Sequence, residues 1–403
     1  MNPTEGNGPG VHDWAVVPLP DTTFDPLPHR LLREEPVARV RLPHGEGHAW
    51  LVTRYEDVKS VSADPRMSRA LTVGRPITSM TPHTLAPAGG VGRADPPDHT
   101  RLRKLIAPTF GRRRMTALRE HTERMAGALA LSTLRTGPPA DLAETFVGPL
   151  SATVIAELLG VPAADLDRVE AWRAGVLSHD TTAAEGESVK KEIAGYFADL
   201  ARHRAAHPGD DLVSELAAAR EAGGISTPEL VSMTVMLTLN GLDAVRNIVS
   251  TMVYVLLVHA EQTAKLRADP ARLPRAVDEL LRFIPQRGGV GMPRVATADV
   301  EVGGVTIREG EAVFVFYPAA NRDPGVYTDP DRLDLDRDEA PHLAFGHGAH
   351  YCAGAQLARM EAEVMLGTLL DRFPGLALAV PPDQVAWRVG TVNRGPETLP
   401  VTW

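Results

Sequence analysis

The sequence predicts a mainly α-helical fold with a small β portion, and three observations carry that expectation. The chain has 403 residues with a 43% apolar fraction, enough to bury a sizeable core. Long stretches, above all His99 to about Ala206 and Ser226 to Val258, carry helical patterning, whereas strand-like alternation is short and confined to a few places. The 35 glycines and 34 prolines fit helices joined by long irregular connections. No repeat and no shift of composition divides the chain, so one domain over residues 1–403 is expected, with residues 1–20 as a tail free to flex.

The elements follow in order. Pro36 to Leu42 and His48 to Val52 alternate around Gly45–Gly47 and predict an antiparallel hairpin. Tyr55 to Ala63 predicts a short helix closed by Asp64–Pro65. The Gly- and Pro-rich segment Val73 to Pro97 is too long for a simple connection and suits a functional lid. The helical region beyond it breaks at Pro108, Gly137–Pro139, Gly160–Pro162 and His179–Thr182. Ser226 with Glu229 has capping-box spacing, and Pro228 suits a first helical turn. The helix that starts there could run to about Val258, roughly 45 Å at 1.5 Å per residue. A further helix through Ala276 to Phe283 stops at Pro285. Asp299 to Val302 and Val305 to Ile307 form a hairpin around Gly303–Gly304, Ala312 to Tyr317 is a strand, and Ala353 to Phe373 is the last long helix.

Charge and composition narrow the function. A formal charge of −9 argues against a general nucleic-acid binder. One cysteine excludes an internal disulfide, so no oxidising compartment is needed. Met1 to Val11 is polar and Gly-rich, without a signal pattern. Leu230 to Val258 is the most apolar long stretch, but Asn240, Asp243, Arg246 and Asn247 would be costly in lipid. A cytoplasmic monomer with no membrane contact is expected.

The chemistry centres on Phe345-Gly346-His347-Gly348-Ala349-His350-Tyr351-Cys352-Ala353-Gly354. Three glycines let this backbone fold tightly and approach a planar ligand. Cys352 lies just ahead of a strong helix signal, where amide donors and the helix dipole favour thiolate over thiol. A thiolate axial ligand pushes electron density onto haem iron. Phe345 could shield the sulfur and His350 could reach a haem propionate. A zinc site from His347, His350 and Cys352 lacks a good fourth ligand nearby and leaves the glycines unexplained.

With Phe345, Gly348, Cys352 and Gly354 at every fixed position of Phe-x-x-Gly-x-x-x-Cys-x-Gly, the chain resembles the cytochrome P450 superfamily, soluble bacterial class. That resemblance implies a triangular, helix-rich prism with a long central helix over haem b. It also implies a buried network of Glu279, Arg282 and Arg332 behind the cysteine loop, from Glu279-Leu280-Leu281-Arg282 and the partial match Pro330-Asp331-Arg332-Leu333. His99 and Arg103, four apart on one helical face, together with Arg294, are the implied propionate ligands.

Asn240-Gly241-Leu242-Asp243-Ala244-Val245 is similar to the family's oxygen-side segment, with Gly241 and Asp243 matching. Gly241 would permit a local distortion of the helix. Ala244 stands where the family usually has threonine, and it has no side-chain hydrogen bond to give. Substrate groups with ordered water could replace that hydroxyl, Asn240 could take part, or the reaction could couple radicals without leaving oxygen in the product. Asp243 is the candidate proton-relay residue.

The resemblance places substrate contacts in Val73–Val91, Val169–Thr182, the central helix, Gln286–Val290 and Thr391–Asn393. Within these, Ile77, Met80, His83, Leu85, Leu237, Asn240, Ala244, Val245, Gln286, Gly289, Val290 and Val392 are the candidate contacts. A small-molecule natural product follows, oxidised with O2 and external electrons as tailoring in secondary metabolism. The alternatives are oxidative C–C or C–N coupling of aromatic substrates, such as tryptophan-containing cyclic dipeptides, and a non-catalytic haem sensor. No flavin or nicotinamide domain is visible, so ferredoxin and ferredoxin reductase are the expected electron donors. Arg101, Lys104, Arg112, Arg113 and Arg114 form a basic stretch on which a ferredoxin could dock.

Overall fold

The computed structural model describes residues 10–15, 19–81, 89–177, 181–286, 290–389 and 393–403. Four expected substrate contacts, His83, Leu85, Gly289 and Val392, lie outside them.

The central helix is Thr227–Val258. Its start is the one the sequence predicts: Ser226 caps the Glu229 amide, Glu229 reaches back to the Ser226 amide, and Pro228 fills the first turn. At 32 residues it is about 48 Å long and crosses the domain. It carries an 18-residue window of mean hydropathy 1.4, but 78% of that window is buried inside the protein. Its apolar surface therefore meets other helices. Helices Arg112–Thr136, Gly148–Leu159, Ala183–Ala206, Leu273–Phe283 and Ala355–Arg372 contribute with it to one large core.

Gly241 does something other than bend this helix. The helix runs unbroken through it, and a Cβ there would stand 2.5 Å from Ile155 Cγ1. Gly241 thus lets helix Gly148–Leu159 pack closely against the central helix, which corrects the expected distortion.

The β portion has eleven short strands among the described residues. They are β1 (Val11–Asp13), β2 (Val37–Arg41), β3 (Ala49–Val52), β4 (Met67–Ser68), β5 (Ala140–Asp141), β6 (Arg294–Ala296), β7 (Val300–Val302), β8 (Val305–Ile307), β9 (Ala312–Val315), β10 (Ala377–Leu378) and β11 (Pro400–Thr402). The largest sheet runs β1-β2-β3-β9-β6-β4. The predicted hairpin is β2–β3, with Val37 opposite Val52, and β9 joins it in parallel, with Trp50 opposite Val313. Two smaller sheets are β10-β11-β5 and β7-β8. The latter turns at Gly303 and Gly304, whose φ values of 55° and 81° suit glycine.

Two expectations change here. Residues 11–14 are part of the fold: β1 pairs with β2, and Trp14 is buried with its indole N–H donating to Asp25 Oδ2 at 2.8 Å. The strand expected over Ala312–Tyr317 ends at Val315, because Pro318 fits the first turn of a short helix, Tyr317–Ala320.

Candidate active site

The cysteine loop folds back on itself. The Cys352 amide donates to the Phe345 carbonyl at 2.9 Å. Gly346 and Gly348 take φ values of 78° and 74°, and a Cβ on Gly348 would lie 2.6 Å from the Ser62 carbonyl oxygen. Only glycine allows the loop to sit so close to helix Tyr55–Ala63. Helix Ala355–Arg372 begins three residues beyond Cys352, so the sulfur lies at its positive end. The Cys352 side is exposed, and the Phe345 ring packs under the Arg359 guanidinium at 4.6 Å.

A cluster of arginines and histidines stands beside this loop. His99 and Arg103 come from helix Asp98–Ile106, Arg294 opens β6, His350 ends the turn before Cys352, and Arg69 follows β4. The His99 and His350 rings are 4.4 Å apart. His99 Nε2 and both terminal nitrogens of Arg294 are buried without a hydrogen-bond partner. Burial pushes His350 down to about 2, and Arg69, His99, Arg294 and Arg103 add to that. Burial, Arg103 and Arg69 also lower His99, against a weak pull from Asp95. Arg103 is lowered by burial and partly restored by Cys352. A buried guanidinium whose terminal nitrogens lack acceptors, as in Arg294, is costly. Two carboxylates of a ligand would supply the missing charge and hydrogen-bond acceptors together.

Behind the loop, Arg282 holds Glu279 through two bonds, Nε to Oε2 at 2.7 Å and Nη2 to Oε1 at 2.9 Å. The third member differs from expectation. The Arg332 side chain is 65% exposed and pairs with Asp334, contributing only its carbonyl to Arg282 and Arg337. Arg337, at 7% exposure, is the residue that reaches Glu279, with Nε at 3.2 Å from Oε1. The Arg332 amide closes a turn onto Asp329 O at 2.9 Å. Asn321 ties the network to the cysteine loop, accepting from Arg282 at its carbonyl and from the Leu343 amide at its side chain.

On the central helix, Met236, Asn240 and Ala244 recur every four residues and retain exposure, with Gly241 beside them, while most of their neighbours are buried. They form one accessible stripe. Asn240 Nδ2 donates to its own helix at Met236 O, 2.7 Å away. Asp243 is buried, and its Oδ2 accepts from Asn393 Nδ2 at 2.8 Å.

The family model described as Cytochrome P450 matches residues 211–387. The chain is 46% identical over 395 residues to biflaviolin synthase CYP158A1 of Streptomyces coelicolor, covering 98% of this chain and 97% of that protein. It is 47% identical to nocardicin C N-oxygenase of Nocardia uniformis subsp. tsuyamanensis, covering 93% and 94%. This chain belongs to the cytochrome P450 family. A crystal structure of cytochrome P450mel 107F1, described as having biaryl coupling reactivity, superposes with a TM-score of 0.95 at 42% identity, covering 98% of this chain and all of that one.

This P450 is therefore an oxidoreductase with a haem-iron cofactor, acting on a small molecule with electrons from a redox partner. Its own residues fit haem: a cysteine at a helix start, with Arg294 and His99 beside it, whose buried nitrogens lack acceptors. Sequence reasoning missed Arg69 and Arg337, and it placed Asn393 only in a substrate-contact segment, not on Asp243. It also missed Met292, which with Met236 lies against Gly92 of the lid segment; a Cβ there would stand 2.9 Å from Met236 Sδ and 3.4 Å from Met292 Cε.

Among the expected substrate contacts, Leu237 and Val245 are buried on the central helix. Gln286 is tied by its carbonyl to the Arg394 amide at 2.8 Å. Val290 and Met80 share an apolar cluster with Trp14 and Phe316. The basic stretch narrows as well. Arg101 pairs with Asp98 and Glu229, and Arg114 with Asp210 and Glu215, leaving Lys104, Arg112 and Arg113 exposed.

Proposed function

We propose that this P450 tailors a natural product of secondary metabolism by hydroxylation or a related oxidation. The observation that carries the reading is a sole cysteine at a helix start beside Arg294 and His99, whose buried side-chain nitrogens have no hydrogen-bond partner. The cofactor would be haem b, its iron held by the Cys352 thiolate and its propionates by His99, Arg103, Arg294, His350 and Arg69. Phe345 and Gly354 shape the loop around the sulfur. Bound haem supplies oxidation by dioxygen and two delivered electrons. Glu279, Arg282 and Arg337 hold the cysteine loop in place as structural residues.

On the opposite side, Met236, Asn240, Gly241 and Ala244 line the substrate space, and Asp243 holds and passes protons at its carboxylate. Asn240 can orient water where Ala244 lacks a hydroxyl. Ferredoxin and ferredoxin reductase supply the electrons to a cytoplasmic, monomeric, single-domain enzyme. Docking falls to the exposed Lys104, Arg112 and Arg113.

A second reading has its own support. Ala244 removes the usual alcohol, and a similar solved structure is described as having biaryl coupling reactivity. Oxidative C–C or C–N coupling of aromatic substrates, tryptophan-containing cyclic dipeptides among them, follows. Haem spectral shifts with candidate natural products identify a substrate, and turnover under labelled dioxygen then separates the readings. Label in the product supports insertion. Its absence beside a new C–C or C–N bond supports coupling.

A further inference from the structure

Asp243 meets a segment that arrives from the far end of the chain, 150 residues on. Asn393 is buried, and its amide donates to Asp243 Oδ2 at 2.8 Å. The residues after it leave little freedom. The Arg394 amide donates to Gln286 O at 2.8 Å, and its guanidinium donates to the carbonyls of Thr23 at 2.8 Å and Asp21 at 3.0 Å. Gly395 presses on the same helix one turn beyond Asp243: a Cβ there would stand 2.7 Å from Asn247 Oδ1 and 2.9 Å from Asn247 Cβ. The Gly395 carbonyl in turn accepts from the Arg388 amide at 3.0 Å. Residues 393–395 are thus fixed from the N-terminal segment, from the Gln286 turn and from the central helix.

The amide that touches Asp243 is therefore a preset donor. Binding one carboxylate oxygen restrains the group from rotating. The constraint matters more here than with a threonine at 244, because Ala244 offers no hydroxyl to hold the proton's path. One turn on, Asn247 keeps both amide atoms buried without a protein partner, as does the Ser250 hydroxyl, so the same helix continues as a polar strip suited to ordered water. The charge three residues on, Arg246, is engaged by Glu144.

We propose that Asn393 is a positioning residue for proton supply in this P450, acting by fixing the Asp243 carboxylate beside the substrate space. This rests on the reading that Asp243 passes protons. Without substrate, one NADPH reduces dioxygen to hydrogen peroxide and two reduce it to two waters, with protons drawn from solvent in both cases. Proton supply is therefore readable before any substrate is known.

The test uses holoenzyme with a surrogate ferredoxin and reductase, and measures NADPH oxidation in H2O and D2O. Asn393→Ala should slow oxidation severalfold and enlarge the solvent isotope effect, and Asn393→Asp, placing a like charge on Asp243, should do so more strongly. Asn393→Ser, which keeps a donor, should recover part of the loss. The double variant with Asp243→Asn should be no worse than Asp243→Asn alone. Independently of turnover, 13C-aspartate infrared spectra of the holoprotein should show the Asp243 carboxylate band move in Asn393→Ala. The proposal is overturned if Asp243→Asn changes the isotope effect while Asn393→Ala and Asn393→Asp do not, or if the double variant is additive. If Asp243→Asn itself changes nothing, the underlying reading of Asp243 fails, and this inference with it.

Discussion

Glu361, on the helix that follows the cysteine loop, is a carboxyl sealed in the core with Oε1 lacking any partner. Burial raises its pKa well above 4.5. Below pH 4.5 both the folded and the unfolded chain carry it protonated. Above that the unfolded chain ionises while the folded one stays neutral, so its contribution to stability falls as pH rises toward the folded value. Glu361→Gln should therefore match wild type in acid and be more stable near neutrality, as denaturant melts at two pH values would show. His350 gives the opposite sign. Its lowered pKa means that the haem-free protein loses stability as pH falls through the ordinary histidine range. Two propionates would reverse that penalty, so haem binding near pH 6.5 should take up protons, measurable by calorimetry in buffers of different ionisation enthalpy. Uptake should vanish in His350→Gln if this histidine is the acceptor.

Elements were legible where their ends carry local chemistry. The central helix is readable from Ser226, Pro228 and Glu229, and the β7–β8 turn from two glycines. Strand β5 was not, since two residues carry no alternation and their partner β11 lies some 260 positions later. The same limit explains Arg337. A motif located the turn near Glu279, but only packing decides which arginine turns inward. Arg337→Met should cost about 3–5 kcal/mol of stability by leaving Glu279 short of a partner, whereas Arg332→Met should stay within about 0.5 kcal/mol, both read from denaturant midpoints. Between helices, Gly241→Val should destabilise by about 1–3 kcal/mol through overlap with Ile155, and should do so equally in haem-free protein. An effect confined to turnover would restore the view that Gly241 serves the helix's shape.

Across the whole molecule, a net charge of −9 coexists with an exposed basic trio, Lys104, Arg112 and Arg113. Reduction by an acidic ferredoxin should therefore slow as ionic strength rises, and reversing these three charges should remove most of that salt dependence. Stopped-flow reduction at several salt concentrations reads both. The cysteine loop was readable at this scale because its glycines, its phenylalanine and its cysteine fall within ten residues. Sequence and resemblance together name His99, Arg103, Arg294 and His350, but Arg69, which follows β4, needed the fold to bring it to them. On the proposed reading, these features serve one bond, from the Cys352 sulfur to haem iron. Exposing the reduced holoprotein to carbon monoxide tests it most directly. A strongly red-shifted main absorption band, lost in Cys352→His, is the expected result; a band at the position typical of histidine-ligated haem in the unmodified protein would contradict the assignment.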